Sequence, residues 1–213
     1  MALVDIAKNT DYDIDRTHGT REVIDYIKEN GGAKNILDMF AGDGSFCSWL
    51  LYRISEELPN IHHLEIDEDR FKDLNQRFGR HRNNCFNCDS YDWIKNNEAK
   101  YDFVFCDNGM GDNEYFDVIP HLKRIIKEDQ ESWFVHNINV RPYGNFIENK
   151  TWQQKREHFY SIEDTQDCEP MDLLDATAKK LNDNGVVPIY GKLFPREIYE
   201  GHIYLYHALW KIK

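Results

Sequence analysis

The chain has 213 residues, 41% of them hydrophobic and 14% aromatic, which fits a folded core and argues against a disordered or low-complexity protein. Its formal net charge of −12 repels phosphate backbones at long range and counts against a stand-alone nucleic-acid binder. No apolar run approaches the roughly 18 to 20 residues of a membrane span, and the N-terminus lacks a basic region leading into an apolar core.

The expectation is therefore a soluble, cytoplasmic, single domain over residues 1–213 with no membrane partner. The five cysteines are odd in number and scattered, and Cys47, Cys85, Cys88 and Cys106 fall in apolar stretches, so they read as reduced buried thiols. Cys85 and Cys88 have CxxC spacing, but no second pair accompanies them and they fall in an expected strand. Packing is favoured there over metal or redox chemistry.

Residues 1–19 are polar and acidic and read as an N-terminal arm. Thr20 to Asn30 has helical spacing of Val23, Ile24 and Ile27, stopped by Gly31-Gly32. Asn35 to Met39 is an apolar strand closed by Asp38 and followed by a glycine turn, Gly42-Asp43-Gly44. Ser45 is placed to cap a helix from Ser45 to Leu58, ended by Pro59-Asn60. A second strand, Ile61 to Asp67, carries Glu65 roughly 20 residues beyond the turn, where a Rossmann-type site holds ribose hydroxyls.

Glu68–Phe78 reads as a charged helix, Asn84–Cys88 as a third strand before Asp89-Ser90, and Tyr101–Cys106 as a fourth before Asp107. A helix from Glu114 to about Lys127 is interrupted by Pro120, which shortens or kinks it. Ser132–Asn137 is a fifth strand ending in His136-Asn137. Residues 138–170 break the rhythm with little helical periodicity and read as a substrate-side insertion. A helix from Pro170 to Asn184 precedes two strands, Val186–Tyr190 and Ile203–Trp210. Their irregular linker, 191–202, is too short for a crossover, which makes them antiparallel neighbours.

The alternation predicts an α/β fold: a doubly wound, mostly parallel seven-stranded sheet with an antiparallel final strand and helices on both faces. Asp38, Glu65, Asp89 and Asp107 close four strands, and in such a sheet those ends line one crevice. A dinucleotide site wants a small third residue in G-x-G-x-x-G, where this chain has Cys47. Asp38 and Asp43 would repel a pyrophosphate but suit a ligand with an ammonium and a sulfonium, as in S-adenosylmethionine.

Asp38 to Gly44 resembles the first motif of the class I S-adenosylmethionine-dependent methyltransferases, with Phe40-Ala41 in place of the commoner Gly-x. Leu64 to Asp67 resembles the second motif, Cys88-Asp89-Ser90 the third, and Tyr101 to Asp107 the fourth. The resemblance implies that Asp38 and the turn Phe40, Ala41, Gly42, Asp43 and Gly44 face the methionine portion. It implies Glu65 with Ile66 at the ribose, Asp89 with Ser90 at the adenine amine, and Asp107 beside the cofactor.

For the methyl acceptor, Asp107-Asn108-Gly109-Met110 lacks the Pro-Pro-aromatic of exocyclic-amine enzymes, and Cys106 lacks the proline of cytosine-carbon enzymes. Tyr101 to Asn137 looks more like small-molecule O-methyltransferases, which implies Asp107 and His136 as catalytic residues, with His136 taking a hydroxyl proton. Asp107 and Asn137 offer oxygen ligands to a divalent metal, which is the less favoured arrangement because His136 departs from the metal-dependent pattern.

Two alternatives stand beside a small-molecule acceptor. One is an RNA methyltransferase working with a partner, using a basic face of Arg77, Arg80, Arg82, Arg141 and Arg156. The other is a catalytically silent cofactor-binding scaffold subunit. Nothing in the sequence sets an oligomeric state.

Overall fold

The computed structural model describes residues 14–79, 84–107, 116–140, 150–163, 168–199 and 202–213. Seven strands form one sheet: β1 (Asn35–Asp38), β2 (Asn60–Glu65), β3 (Cys85–Asn87), β4 (Phe103–Phe105), β5 (Ser132–Asn139), β6 (Pro188–Tyr199) and β7 (His202–Ile212). Their order is β3-β2-β1-β4-β5-β7-β6. The first five run parallel, and β7 lies antiparallel between β5 and β6.

Apolar side chains alternate between two cores because successive strand residues point to opposite faces. Ile36, Ile61, Phe103, Phe105, Val135 and Leu209 pack beneath helix α1 (Ile14–Glu29) and a 3-10 helix (Ser48–Arg53). Leu37, Leu64, Val104, Phe134 and Trp210 form the other core. Helices α3 (Ser90–Asn96), α4 (Ile119–Ile125), α5 (Lys150–Tyr160) and α6 (Pro170–Asp183) cover that side. The expected doubly wound architecture is what the chain adopts. No helix among the described residues is long and apolar enough to cross a membrane.

The local departures have identifiable causes. Helix α1 starts at Ile14, so the last part of the expected arm is helical, while residues 1–13 lie outside the described residues. Gly19 sits inside α1 because the helix runs against β6 there: a Cβ would fall 2.0 Å from the Pro195 carbonyl oxygen. No helix begins at Ser45. Its hydroxyl donates back to Asp43 (2.6 Å), Ser48 donates to the Ala41 carbonyl (3.2 Å), and the chain tightens into the 3-10 turn instead.

Helix α2 (Glu68–Leu74) passes into a π-helix, Asn75–Gly79, and Pro120 stands at the start of α4, where its missing N–H costs nothing. The expected irregular stretch 138–170 contains α5, with Trp152, Arg156 and Tyr160 buried at four-residue spacing. An arginine in the buried stripe hid the helical period. Residues 141–149 and 164–167 of that stretch lie outside the described residues. Most of the linker 191–202 is strand, since β6 is an edge strand that tolerates Pro195 and takes up irregularity as bulges. Burial pushes the Cys85 thiol up to about 12 and raises Cys88, so both are protonated packing thiols.

Candidate active site

The glycine turn is clasped between two strands. The Met39 N–H donates to the Phe105 carbonyl (3.1 Å) and the Ala41 N–H to the Leu64 carbonyl (3.0 Å), which ties β1's end to β4 and β2. Gly42 and Gly44 have φ of 60° and 74°, a region that side chains rarely adopt. A Cβ on Gly44 would lie 2.4 Å from the Phe78 ring, whereas one on Gly42 would meet nothing within 4 Å.

The two glycines therefore separate experimentally. Gly44→Ala is expected to lower thermal stability by at least the ~1–2 kcal/mol of a left-handed non-glycine residue, with the Phe78 clash added. Gly42→Ala pays only the backbone cost and keeps its fold, but puts a methyl at the mouth of the site. Melting curves with and without added S-adenosylmethionine, the cofactor expected from the sequence, distinguish the pair.

At the carboxyl ends of β1, β2 and β4 the turn opens onto a cleft of about 750 Å³. Phe40, Ala41, Gly42, Phe46 and Cys47 line it from the turn, Glu65 and Ile66 from β2, and Phe105 and Asp107 from β4. Among the described residues that line it, Asp43, Glu65, Asp67, Asp73 and Asp107 stand against one cation, Arg70. Such a wall disfavours phosphate and favours positive charge. Partial burial pushes the Asp43 carboxyl up, but hydrogen bonds from the Ser45 hydroxyl and N–H, with the nearby Arg77 charge, outweigh it and hold Asp43 below its ordinary value. One Glu65 oxygen accepts from the Asp67 N–H (2.7 Å), and Ile66 is 65% exposed beside it, an apolar surface at the rim.

Other expected site residues lie behind this wall. Asp38 is buried and paired with His63 (Oδ2 to Nδ1, 2.8 Å), and the Tyr52 hydroxyl meets His63 Nε2 (2.8 Å). Parallel pairing puts Asp38 and His63 opposite each other in register, so Asp38 supports the turn from beneath. Asp89 caps α3, accepting from the Tyr91 (2.7 Å) and Asp92 (3.2 Å) N–H groups, and Ser90 donates its hydroxyl to the Met39 carbonyl. Asp38, Gly44, Asp89 and Ser90 thus shape the cleft without lining it.

The expected catalytic pair is separated. Asp107 and Asn137 meet (Oδ1 to Nδ2, 3.3 Å), but His136 points to the opposite face of β5, wholly buried, its ring stacked on Phe134 at 5.2 Å. The cause is the two-residue period of the strand, which sends neighbours to opposite sides. Asn108, Gly109 and Met110 lie outside the described residues.

What the sequence did not reveal is the setting of Asp107. Arg196 from β6 donates from Nε to its Oδ2 (3.3 Å) while stacking on the cleft residue Phe46 at 4.8 Å. His207 of β7 lies opposite Asn137 in register, 3.9 Å from Asp107 Oδ2, and meets Thr20 of α1 at 2.9 Å. Burial pushes the Asp107 carboxyl up, but the Arg196 and His207 electrostatics together with hydrogen bonds from Cys47 and Asn137 outweigh it and hold Asp107 below its usual value. Burial drives His207 down to about 4, so it is neutral at neutral pH. The nearest signal in the sequence was Arg196 itself, a lone arginine within the apparent linker. Among the described residues, no three His, Cys, Asp or Glu side chains are grouped to hold a metal ion.

No protein-family model matches the chain, and no characterised protein matches its sequence. Solved structures do match its fold. TYW2 from M. jannaschii, in complex with AdoMet, has a TM-score of 0.57 at 14% identity over 97% of this chain and 79% of that one. Magnesium protoporphyrin IX methyltransferase from Synechocystis, with bound SAM, gives 0.51 at 15% over 93% and 81%. A putative rRNA-methylase from Clostridium thermocellum gives 0.56 at 9% over 91% and 95%. The chain has the class I methyltransferase fold.

Proposed function

We propose that this chain is an S-adenosylmethionine-dependent methyltransferase acting on a small-molecule acceptor at a hydroxyl. The observation that carries the reading is the cleft itself: a left-handed glycine turn at the end of β1 beside the carboxylates of Asp43, Glu65 and Asp107. The fit of the cofactor is chemical. Gly42 leaves open space for close approach, the Glu65 carboxylate has a second oxygen that could accept from ribose hydroxyls, Ile66 offers an apolar face to the adenine, and Asp43 suits the ammonium group. S-adenosylmethionine supplies the methyl group on its sulfonium.

The protein's part is to align the acceptor and accept its proton or hydrogen bond. Asp107 is the described side chain suited to that role, as an ionised acceptor fixed by Arg196 and Asn137. His136 is set aside, because its ring faces the other core.

A small acceptor is favoured over RNA by what has become of the candidate basic face. Arg156 is wholly buried between Trp152 (4.7 Å) and Tyr160 (5.8 Å), and Arg77 Nε is turned to the Asp43 carbonyl. Arg80, Arg82 and Arg141 lie outside the described residues. The test incubates the protein with methyl-labelled S-adenosylmethionine and separated small-molecule, RNA and protein fractions of a cell extract. Label entering the small-molecule fraction as an alkali-stable ether is expected. Label confined to RNA would contradict the acceptor, and cofactor binding with no transfer to any fraction would favour a scaffold.

A further inference from the structure

The π-helix Asn75–Gly79 touches the glycine turn from behind at two points and reaches its support at a third. Arg77 Nε donates to the main-chain carbonyl of Asp43 at 3.2 Å. The Phe78 ring fills the space beside Gly44, and it stacks on His63 at 4.8 Å and 14°, the imidazole that holds Asp38. Single π-turns interrupt the regular helical ladder and recur at functional sites, where they re-aim side chains. Here the turn follows directly on α2, whose Arg70 and Asp73 line the cleft. Arg77 itself is half-buried and does not line the cleft.

We propose that Arg77 is a positioning residue for the cofactor: its Nε–H fixes the Asp43–Gly44 peptide, and through it the face of the glycine turn that the cofactor meets. Left-handed Gly42 and Gly44 give the turn its shape but also leave it more backbone freedom than other residues would. A hydrogen bond from a neighbouring element removes that freedom before binding, so less ordering entropy is lost when the cofactor enters. The proposal rests on the S-adenosylmethionine reading above.

Glutamine carries its side-chain N–H group at the same number of bonds from the backbone as the Nε of arginine, without the charge. Methionine fills similar space with no donor. Calorimetric titration of S-adenosylmethionine into wild type, Arg77→Gln and Arg77→Met therefore isolates the hydrogen bond. Arg77→Met is expected to weaken binding about tenfold, the worth of one net hydrogen bond, and Arg77→Gln to stay within about threefold of wild type. A purely structural arginine would lower the melting temperature of both variants without splitting their affinities.

In the unliganded protein, amide exchange at Gly44, whose N–H donates to the Ala41 carbonyl (3.0 Å), should quicken in Arg77→Met and not in Arg77→Gln. Unchanged binding and exchange in Arg77→Met would overturn the proposal. So would equal weakening in both variants, because Arg77 would then act by its charge on the Asp43 carboxylate. Wild type that binds no S-adenosylmethionine would sink the cofactor reading instead.

Discussion

Replacing Arg196 with methionine is expected to lower the unfolding free energy by about 3–5 kcal/mol, the cost of leaving one member of a buried ion pair without the other. Arg196 and Asp107 are 5% and 6% exposed, so water does little to compensate the carboxylate left behind. Loss of the guanidinium stacked on Phe46 adds to the effect. Adding Asp107→Leu to Arg196→Met should restore most of the loss, since an apolar pair of similar volume carries no desolvation cost. Urea unfolding of the two single variants and the double variant measures this. A cost below about 1 kcal/mol for Arg196→Met would mean that the pair is screened like a surface salt bridge. On the role proposed for Asp107, the double variant is expected to recover stability and lose methyl transfer together.

The second large effect is a pH dependence set by His207. The group is buried by α1, β5 and β6, and the charged or titratable neighbours are Asp107, Arg196, His136 and the Cys47 thiol beside Thr20. Its folded-state value of about 4 lies below the ordinary 6.5. Between those two values the unfolded chain binds a proton that the folded one does not, so stability must fall as pH falls through that window. The shift corresponds to about 3 kcal/mol lost between pH 6.5 and pH 4.

Asp107 contributes with a different window. Its folded value is depressed below 3.8, so its contribution is present above 3.8 and is lost only as pH falls further. His207→Gln should therefore flatten the stability profile from pH 6.5 to 4 while leaving the steeper loss at lower pH. A His207→Gln profile parallel to wild type across the upper window would show that another group carries it.

Much of the glycine-turn side of the cleft was legible because its determinants are local. Gly42, Asp43 and Gly44 specify the turn within three residues, and Glu65 follows at a distance fixed by one helical crossover. The sheet was legible for a similar reason, since buried parallel strands read as short apolar runs such as Phe103-Val104-Phe105. What escaped was long-range. Asp38 looks like a ligand contact until β2 places His63 opposite it, and that pairing depends on strand register rather than on any adjacent residue. Arg196 and His207 reach Asp107 only because β6 and β7 form a long hairpin with bulges, which the sequence disguised with Gly191 and Pro195. His136 was misplaced by one residue of alternation, the smallest slip that exchanges the two faces of a strand.

The occupant proposed for the acidic cleft is a cationic, phosphate-free nucleoside. The most direct test is calorimetric titration of the wild-type protein with S-adenosylmethionine and, separately, with NAD. Micromolar binding of S-adenosylmethionine is expected, weakened at least tenfold in Glu65→Ala, with no measurable heat from NAD. Tighter binding of NAD than of S-adenosylmethionine would contradict the proposal.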